Sequence, residues 1–345
     1  MELAFVIEKV LLVSLIFVIT LVIAMYSTLA ERKVAGFMQD RFGPDRAGPF
    51  GILQPLCDGG KFFFKEEIIP AGAHKTLFII GPTIAIITAC IGSAVIPWGQ
   101  ELVIGERVIE LQVADINVGV LYMFGVVALS VYGIMLGGWA SNNKFSLMGA
   151  VRAASQSISY EIALGLSLIA LLMITQSLSL KEIVAQQAGF VNWNIWVQPL
   201  GFLIFLVCAF AECNRVPFDL PECETELIGG YNVEYSSMKL GLFMFAEYIH
   251  MFVSSALMAA LYFGGYNFPF MYDLGLSQNW ITIIGVLVFF AKIFAFIFFF
   301  MWIRWTLPRF RYDQLMNLGW KMLIPLAIAN IVLTGVITLI NDTFF

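Results

Sequence analysis

The feature that most constrains this chain is a series of apolar runs that recurs along the whole sequence. Each run is about 20 residues long, the length at which an α-helix crosses the hydrocarbon core of a bilayer. Hydrophobic residues also make up 60% of the 345 positions. We therefore expect an all-α polytopic membrane protein, a single integral domain over residues 1–345 with about eight transmembrane helices. The predicted spans are Val10–Ala30, Leu77–Trp98, Ile116–Trp139, Ser157–Thr175, Trp196–Cys213, Met238–Phe263, Trp280–Trp305 and Leu323–Ile340.

Basic residues predict the orientation of these helices. Fifteen of the nineteen Lys and Arg fall in the connections 31–76, 140–156, 214–239 and 304–322. Basic residues are enriched on the cytoplasmic side of membrane proteins, so we expect these four connections there and both termini on the other side. The first run follows Met1 and Glu2 without a positive segment, so it is expected to be a retained span and not a signal peptide.

The connection 31–76 contains a helix of a different kind. Its apolar residues recur near helical spacing and are Ile52, Leu53, Leu56, Phe63 and Phe64, with Asp58, Lys61, Lys65, Glu66 and Glu67 between or after them. This pattern predicts a short amphipathic helix in the plane of the membrane interface. Two roles stay open, a plain surface anchor and the lip of a cavity that an amphipathic ligand enters from the membrane.

The stretch from Ala209 to Lys239 is strongly acidic in a chain that is only 12% charged. Its six acids are Glu212, Asp219, Glu222, Glu224, Glu226 and Glu234, and its two bases are Arg215 and Lys239. Burial and like charge both raise carboxyl pKa values, so some of these groups should hold protons near neutral pH. The connection 214–239 is thus either a proton-handling acidic loop or an ordinary solvated loop.

Cysteine spacing and net charge exclude several classes of site. The five cysteines include no CxxC pair and no spacing typical of an iron–sulfur cluster, so no cofactor held through sulfur is expected. Cys213 and Cys223 flank the first half of the acidic loop, but we expect no metal site there. The net charge of −5 argues against a basic surface for nucleic acid.

Five long segments carry a more specific signal. They are RFGPDRAGPFGILQPLCDGGKFFFKE, GWASNNKFSLMGAVRAASQSISYE, AECNRVPFDLPECETELIGGYNVEYSSMK, FAEYIH and PRFRYDQLMNLGWK. In order and spacing they resemble the H-subunit family of respiratory complex I, the proton-pumping NADH:quinone oxidoreductase. The resemblance extends from Glu31 to Lys321, which is nearly the full chain.

The resemblance implies a membrane subunit that anchors the peripheral electron-transfer arm and supplies the membrane side of a quinone chamber. It also implies a polar path that couples quinone reduction to proton translocation. On this view the chain carries no redox centre, and FMN and iron–sulfur clusters lie in partner subunits. The expected partners are the other membrane and peripheral subunits, quinone and the lipid bilayer, and the expected location is a bacterial cytoplasmic membrane, with an organellar inner membrane as the alternative.

The resemblance also selects residues for proton coupling. By position, Glu222, Glu224 and Glu226 match the family's loop beside the quinone chamber, and Glu212 and Glu161 match its intramembrane glutamates. A charge at bilayer depth costs about 2.5–3.5 kcal/mol even on lenient scales, so such residues normally face a wet interior. The same physical argument adds two further candidates, Glu247 and Lys292. For Glu247 a helix-packing role with Lys292 or His250 stays open, and Lys292 is more typical of a counter-ion than of a catalyst.

A second set of polar residues is expected to line the quinone chamber or dock the peripheral arm. Its members are Arg46, Asp58, Arg152, Arg215, Glu234 and Arg304. The four arginines lie at the predicted cytoplasmic ends of helices, where they could neutralise loop carboxylates. The alternative for each of them is an ordinary positive-inside residue.

The third span departs from the family pattern. Some members carry a further glutamate there, whereas this chain has Ala128 at the aligned position. The polar path must then be completed by water, by Tyr132 or by an acid of another subunit.

Two other functions also stay open. One is the homologous subunit of a membrane-bound hydrogenase or ferredoxin-linked complex, and the other is a free-standing transporter, which would predict internal repeats that the sequence lacks.

Overall fold

The computed structural model describes residues 2–105, 107–222, 224–271 and 275–344, with the backbone alone at 2–5, 104, 224, 225 and 341–344. Nearly all of the described secondary structure is helical, which confirms the predicted all-α membrane fold. The elements are α1 (Glu2–Met38), α2 (Gln54–Phe64), α3 (Lys75–Ile91), β1 (Glu101–Ile104), β2 (Arg107–Glu110), α4 (Gly119–Ala140), α5 (Lys144–Thr175), α6 (Leu180–Gln186), α7 (Asn194–Val197), α8 (Pro199–Glu212), α9 (Glu224–Leu227), α10 (Ser237–Tyr262), α11 (Gln278–Thr306), α12 (Tyr312–Asn317) and α13 (Ile324–Phe344).

Within the described ranges, seven helical segments are long and apolar enough to cross a membrane. They are Val6–Met38, Lys75–Val95, Gly119–Ala140, Lys144–Thr175, Ser237–Tyr262, Gln278–Thr306 and Tyr312–Ile340. The last of these is continuous because a π-helical turn, Leu318–Leu323, joins α12 to α13. Each of the seven overlaps one predicted span over most of its length, and the predicted ends at Trp98, Ile116 and Phe263 lie one to three residues outside the helical segments.

The remaining predicted span, Trp196–Cys213, the fifth in chain order, is corrected by the structure. Its helix is α8, which has 14 residues and is therefore about 21 Å long. Gln198 has non-helical dihedral angles (φ −127°, ψ 55°), and Pro199 lacks an amide hydrogen, so α8 is separate from the preceding turn α7. The hydrocarbon core of a bilayer is about 30 Å thick, so α8 alone is too short to cross it. Glu212 is the last residue of α8.

Small residues bring α3 and α4 into close contact. A Cβ atom on Gly81 would lie 3.0 Å from backbone atoms of Gly133 and Gly137, and one on Gly133 would lie 2.9 Å from the amide nitrogen of Ala85. Close backbone approach through small residues is the usual way that membrane helices pack, since lipid is as apolar as leucine. The resulting wall of the bundle faces α10 and α5.

The amphipathic helix α2 is present at the predicted position. It is attached to the beginning of α10, because the hydroxyl of Ser237 donates to the carbonyl oxygens of Phe62 (2.9 Å) and Lys65 (3.0 Å). Phe63 and Phe64 are 71% and 93% exposed, so the apolar side of the helix has no cover within the described part of this chain. The side of the bundle that carries α2 and the acidic loop also carries the four connections that contain most of the Lys and Arg residues. We call this side the basic face. The opposite face carries the antiparallel pair of β1 and β2.

Candidate functional site

The acidic loop is held in place by a buried glutamine of α5. The side-chain amide of Gln156 donates to the carbonyl oxygens of Ala211 (2.8 Å) and Phe218 (2.7 Å). Farther along the loop, the hydroxyl of Ser146 donates to the carbonyl oxygen of Tyr231 (2.8 Å). These bonds satisfy loop carbonyls that are buried away from water. They fix both halves of the loop against α5, so its side chains have defined positions.

A buried group of charges lies where α1, α10, α11 and the start of the acidic loop meet. Arg215 is only 6% exposed, and its Nη1 lies 3.2 Å from a carboxylate oxygen of Glu31 on α1. Its guanidinium also stacks 4.0 Å from the ring of Tyr248, whose hydroxyl donates to Glu31 at 2.9 Å. Arg304 forms a second ion pair with Glu31. Buried charges need such partners, because desolvation without compensation costs several kcal/mol per ion.

Glu247 connects this group to the rest of α10. Its carboxylate lies 3.8 Å from Nη2 of Arg215 and accepts a hydrogen bond of 3.2 Å from the hydroxyl of Tyr231. Glu247 therefore contacts Arg215 and the acidic loop, and not the Lys292 side chain considered from the sequence. Glu247, predicted for proton coupling, and Arg215, predicted for the quinone chamber or arm docking, therefore belong to one cluster.

Two adjoining cavities continue from Glu247 into the bundle. The loop-side cavity has a volume of about 20 Å³ and is lined by Glu247 and Tyr231. The inner cavity has a volume of about 40 Å³, and Glu161 of α5 lies on its otherwise largely apolar wall. Glu212 lines both cavities. Its Oε2 is buried and has no hydrogen-bond partner among the described residues. The three predicted carboxylates Glu247, Glu212 and Glu161 thus follow one another from the acidic loop into the bundle.

The carboxylates of the acidic loop have separate partners. The pairs and their distances are Asp219 with Arg309 (2.6 Å), Glu222 with Asn232 (2.8 Å), Glu226 with Arg152 (2.5 Å) and Glu234 with Asn143 (2.6 Å). Glu226 is exposed, whereas Asp219 is only 7% exposed. Glu224 begins α9, but its side chain lies outside the described part of the chain, as does Cys223. The loop therefore has a solvated part and a buried part, and Asp219 marks the buried part.

Burial governs the protonation of Asp219. It raises the pKa of Asp219 from 3.8 to about 7, with a further increase from the nearby charge of Glu222. The guanidinium groups of Arg309, Arg304 and Arg215 act in the opposite direction and do not overcome burial. Asp219 can therefore change charge near neutral pH, as the sequence predicts for some acids of this loop.

Asp58 lies on α2 and is held from two sides. Arg32 at the end of α1 pairs with it at 2.5 Å, and Lys61 lies 3.3 Å from its other oxygen. Partial burial acts to raise the pKa of Asp58, but the hydrogen bonds and charges of Arg32 and Lys61 outweigh it and lower that pKa. Asp58 thus fixes α2 to α1 as a stable carboxylate. Arg46, in the preceding turn, is exposed.

Lys292 has a capping role in the structure. Its ammonium group donates to the carbonyl oxygens of Phe263 (2.7 Å), Gly265 (2.8 Å) and Asn267 (2.6 Å), just beyond the end of α10. It also lies 4.6 Å from the ring centroid of Trp193. Carbonyls at a helix C-terminus carry partial negative charge and attract cations. Lys292 lines neither of the two cavities described above, so the structure places it apart from the predicted proton path.

Sequence reasoning did not nominate four residues that the structure brings into the site. They are Glu31, Asp219, Tyr231 and Tyr248. Glu31 and Tyr231 contact the nominated residues Arg215 and Glu247, Tyr248 contacts Glu31, and Asp219 pairs with Arg309, which was not nominated either. Asp219 had a signal in the acidic composition of the loop, and Glu31 had one as an acid at the end of an apolar run. The two tyrosines had none, because only tertiary packing aims their hydroxyls at carboxylates. Across the described residues, His, Cys, Asp and Glu form no group of three or more that could hold a metal ion.

Comparisons with known proteins agree with the resemblance. A family model described as NADH dehydrogenase matches residues 10–335. The first H subunit of NADH-quinone oxidoreductase from Cytophaga hutchinsonii is 69% identical over 331 residues, covering 96% of each chain. The NADH-quinone oxidoreductase H subunit of Flavobacterium johnsoniae is 60% identical and covers 99% of this chain and 98% of its own. The second H subunit of Geobacter metallireducens is 48% identical over 98% of this chain and 97% of its own.

These matches confirm the family resemblance drawn from the five sequence segments. They also support quinone involvement and electron transport in a multi-subunit oxidoreductase complex, and the apolar helices agree with a multi-pass membrane protein. The chain therefore belongs to the NADH dehydrogenase family, within the group formed by the H subunits of NADH-quinone oxidoreductase, respiratory complex I.

Proposed function

We propose that this protein forms the membrane side of a quinone chamber, anchors the peripheral arm and couples quinone reduction to proton translocation. One observation carries the proposal. Carboxylates continue from the buried part of the acidic loop through Glu247 and Glu212 to Glu161, and two adjoining cavities connect the last three. Carboxylates in poorly solvated cavities are suited to holding and releasing protons.

The proposed coupling is electrostatic. Quinone reduction consumes protons and changes the charge in the chamber. Asp219 and the loop glutamates Glu222, Glu224 and Glu226 are proposed to sense that change. Glu247 is coupled to the loop carboxylates through Arg215 and Tyr231, both of which contact it. A change of charge at one carboxylate shifts the pKa of the next, so the signal can pass to Glu212 and Glu161.

Quinone is proposed to enter from the membrane beside α2. Phe63 and Phe64 are exposed on this helix next to the basic face, and an amphipathic helix in the interface offers such a ligand an apolar lip. Asp58, held by Arg32, keeps α2 against α1 at this point. The same face carries Arg46, exposed, and the pair Arg152–Glu226, which are proposed to contact the peripheral arm.

The proposed partners are the peripheral and membrane subunits of complex I, with FMN and iron–sulfur clusters held in the peripheral subunits and no redox centre in this chain. The basic face is proposed to be cytoplasmic, in a bacterial cytoplasmic membrane. The relatives reported above are named for NADH as donor and quinone as acceptor. Those names favour this function over that of a hydrogenase or ferredoxin-linked relative and over a free-standing transporter.

Replacing Glu212 or Glu247 by glutamine tests the proposal. Glutamine keeps shape and hydrogen-bonding capacity but cannot titrate. If these residues relay protons, we expect NADH:quinone turnover and membrane-potential formation in vesicles to fall about ten-fold or more, a lower bound because a proton-transfer group typically contributes about 10²–10⁴-fold. NADH oxidation by an artificial acceptor, which bypasses the membrane, should stay unchanged.

The amount of assembled complex is the control, because a neutral glutamine is less costly to bury than an unpartnered charge. Wild-type turnover and membrane potential in both assembled variants would show that the two glutamates only pack helices. The relay assignment would then be wrong for this chain.

Asp219 should make the stability of the complex depend on pH. Its pKa is raised from 3.8 to about 7 by burial, so the folded state binds a proton more tightly than the unfolded chain. The associated stability is complete below about pH 4 and is lost as pH rises to about 7. Asp219→Asn mimics the protonated acid and removes this loss. We therefore expect the variant to gain stability relative to wild type as pH rises from about 5 to about 8.

The measurement is the midpoint temperature of thermal inactivation in membranes at several pH values. Glu226→Gln serves as the matched control, since it replaces a carboxyl group at an exposed position of the same loop. A constant difference between Asp219→Asn and wild type across this range would contradict the prediction.

A further inference from the structure

One continuous face of α10 lines both cavities. The loop-side cavity contacts α10 at Phe243, Ala246, Glu247 and His250, and the inner cavity contacts it at His250, Val253, Ser254 and Leu257. Steps of three and four residues keep side chains on one face of a helix. His250 is the residue of α10 that lines both cavities. It therefore lies at their junction, one turn beyond Glu247.

The titratable groups around this junction come from several elements. Glu161 faces the inner cavity from α5, Tyr231 and Glu247 face the loop-side cavity, and Glu212 and Cys213 line both from the end of α8. From α4 the lining residues are Met123, Phe124, Val127, Ser130 and Ile134. These are apolar or, in one case, a hydroxyl. The third span thus adds no carboxylate to the described lining of the two cavities.

We propose that His250 is a proton-relay residue that transfers protons between Glu247 and Glu212. A neutral imidazole has one nitrogen that accepts a proton and one that already carries a proton. The protonated carboxyl of Glu247 gives its proton to the free nitrogen, which forms an imidazolium. The other nitrogen then releases its proton to the carboxylate of Glu212. The net change is one proton moved between carboxylates, and exchange of the tautomer or rotation of the ring restores the starting state.

This inference rests on the proposed function, since it assigns one more residue to the same path. It adds a titratable group on α10 to a path to which the described lining from α4 adds no carboxylate. Tyr132, considered from the sequence as a substitute, is 57% exposed and lines neither cavity. His250 instead lines both cavities from α10.

The test compares His250→Asn and His250→Gln with His250→Glu in the assembled complex. Asn places its amide near the position of Nδ1 and Gln near that of Nε2, and neither can titrate. We expect these two variants to lose about ten-fold or more of NADH:quinone turnover and membrane potential, with the artificial-acceptor rate unchanged. The glutamate variant restores a titrating group, so it should recover most of the loss.

His74 supplies the matched control, because it is the second of the two histidines in the chain and is exposed at the start of α3. Asn is a good residue at a helix N-terminus, so His74→Asn should behave as wild type. Glu212→Gln is measured in parallel. A loss in Glu212→Gln beside wild-type behaviour of the His250 variants would overturn the role of His250 alone, whereas wild-type behaviour of all of them would overturn the proposed function as well.

Two further outcomes would also overturn the relay role. If His250→Glu assembles but is as impaired as the Asn variant, the requirement is for the shape of the ring and not for a titrating group. If none of the three His250 variants assembles while Glu212→Gln does, His250 is needed for packing.

Discussion

Gly230→Ala should abolish quinone reductase activity while Gly189→Ala leaves it nearly intact. Gly230 has a φ of +64°, and a Cβ atom there would lie 1.6 Å from the carbonyl oxygen of Pro221. Real Cβ atoms never approach backbone so closely, so the loop must move. The hydroxyl of the next residue, Tyr231, donates a hydrogen bond to Glu247. The backbone carbonyl of Tyr231 accepts a hydrogen bond from the hydroxyl of Ser146. Moving the loop therefore breaks the contact between the acidic loop and α10.

The Gly189→Ala variant is the control that separates the effect of the steric clash at Gly230 from the effect of a positive φ angle. Its φ is +83°, but an added Cβ would meet no described atom within 4 Å. Alanine at that position costs only the left-handed backbone conformation, about 1–2 kcal/mol. NADH:quinone turnover and the amount of assembled complex are measured for both variants. Near-normal turnover in Gly230→Ala would mean that the loop position is not needed for activity.

The membrane spans could be predicted because one physical length controls them. An apolar run must match the thickness of the hydrocarbon core, and seven of the eight predicted runs do so as long helices. The fifth run, Trp196–Cys213, met the same criterion of length and hydropathy. Composition did not reveal the break at Gln198 and Pro199, which depends on local backbone geometry and leaves a helix of 14 residues.

The candidate site was predicted in part. Glu161, Glu212 and Glu247 stood out because acids are costly at bilayer depth, and the structure brings all three to adjoining cavities. The partner of Glu247 could not be predicted in the same way. Arg215 is 32 positions away in sequence, and its other partner, Glu31, lies in the first helix. Such pairings depend on how helices pack, for which hydropathy contains no information.

The partners of Lys292 could not be predicted from the sequence either. Its charge in an apolar run predicted an acidic counter-ion or a place in the proton path. The structure gives its ammonium group three carbonyl partners just beyond the end of α10. A lone buried cation can be satisfied by the negative end of a helix as well as by a carboxylate, and the sequence does not distinguish these partners.

Arg215→Met should prevent normal assembly. The change removes the guanidinium that contacts Glu31 at 3.2 Å and Glu247 at 3.8 Å, and it leaves the buried carboxylate of Glu31 and the largely buried carboxylate of Glu247 with fewer cations. Removing one partner of a buried ion pair costs about 3–5 kcal/mol, because the remaining charge stays desolvated. That is a large share of the stability of a typical domain. We expect little assembled complex on native gels and less than about a tenth of wild-type NADH:quinone turnover.

A second-site change distinguishes charge imbalance from loss of packing. Adding Glu247→Gln to Arg215→Met removes one carboxylate that lost its partner, so assembly should partly return. Turnover should stay low, because Glu247 is in the proposed proton path. Arg107→Met is the control, since Arg107 is exposed on the opposite face and should tolerate the change. If the double variant assembles no better than Arg215→Met, the arginine matters through its stacking on Tyr248, 4.0 Å away, and not through its charge.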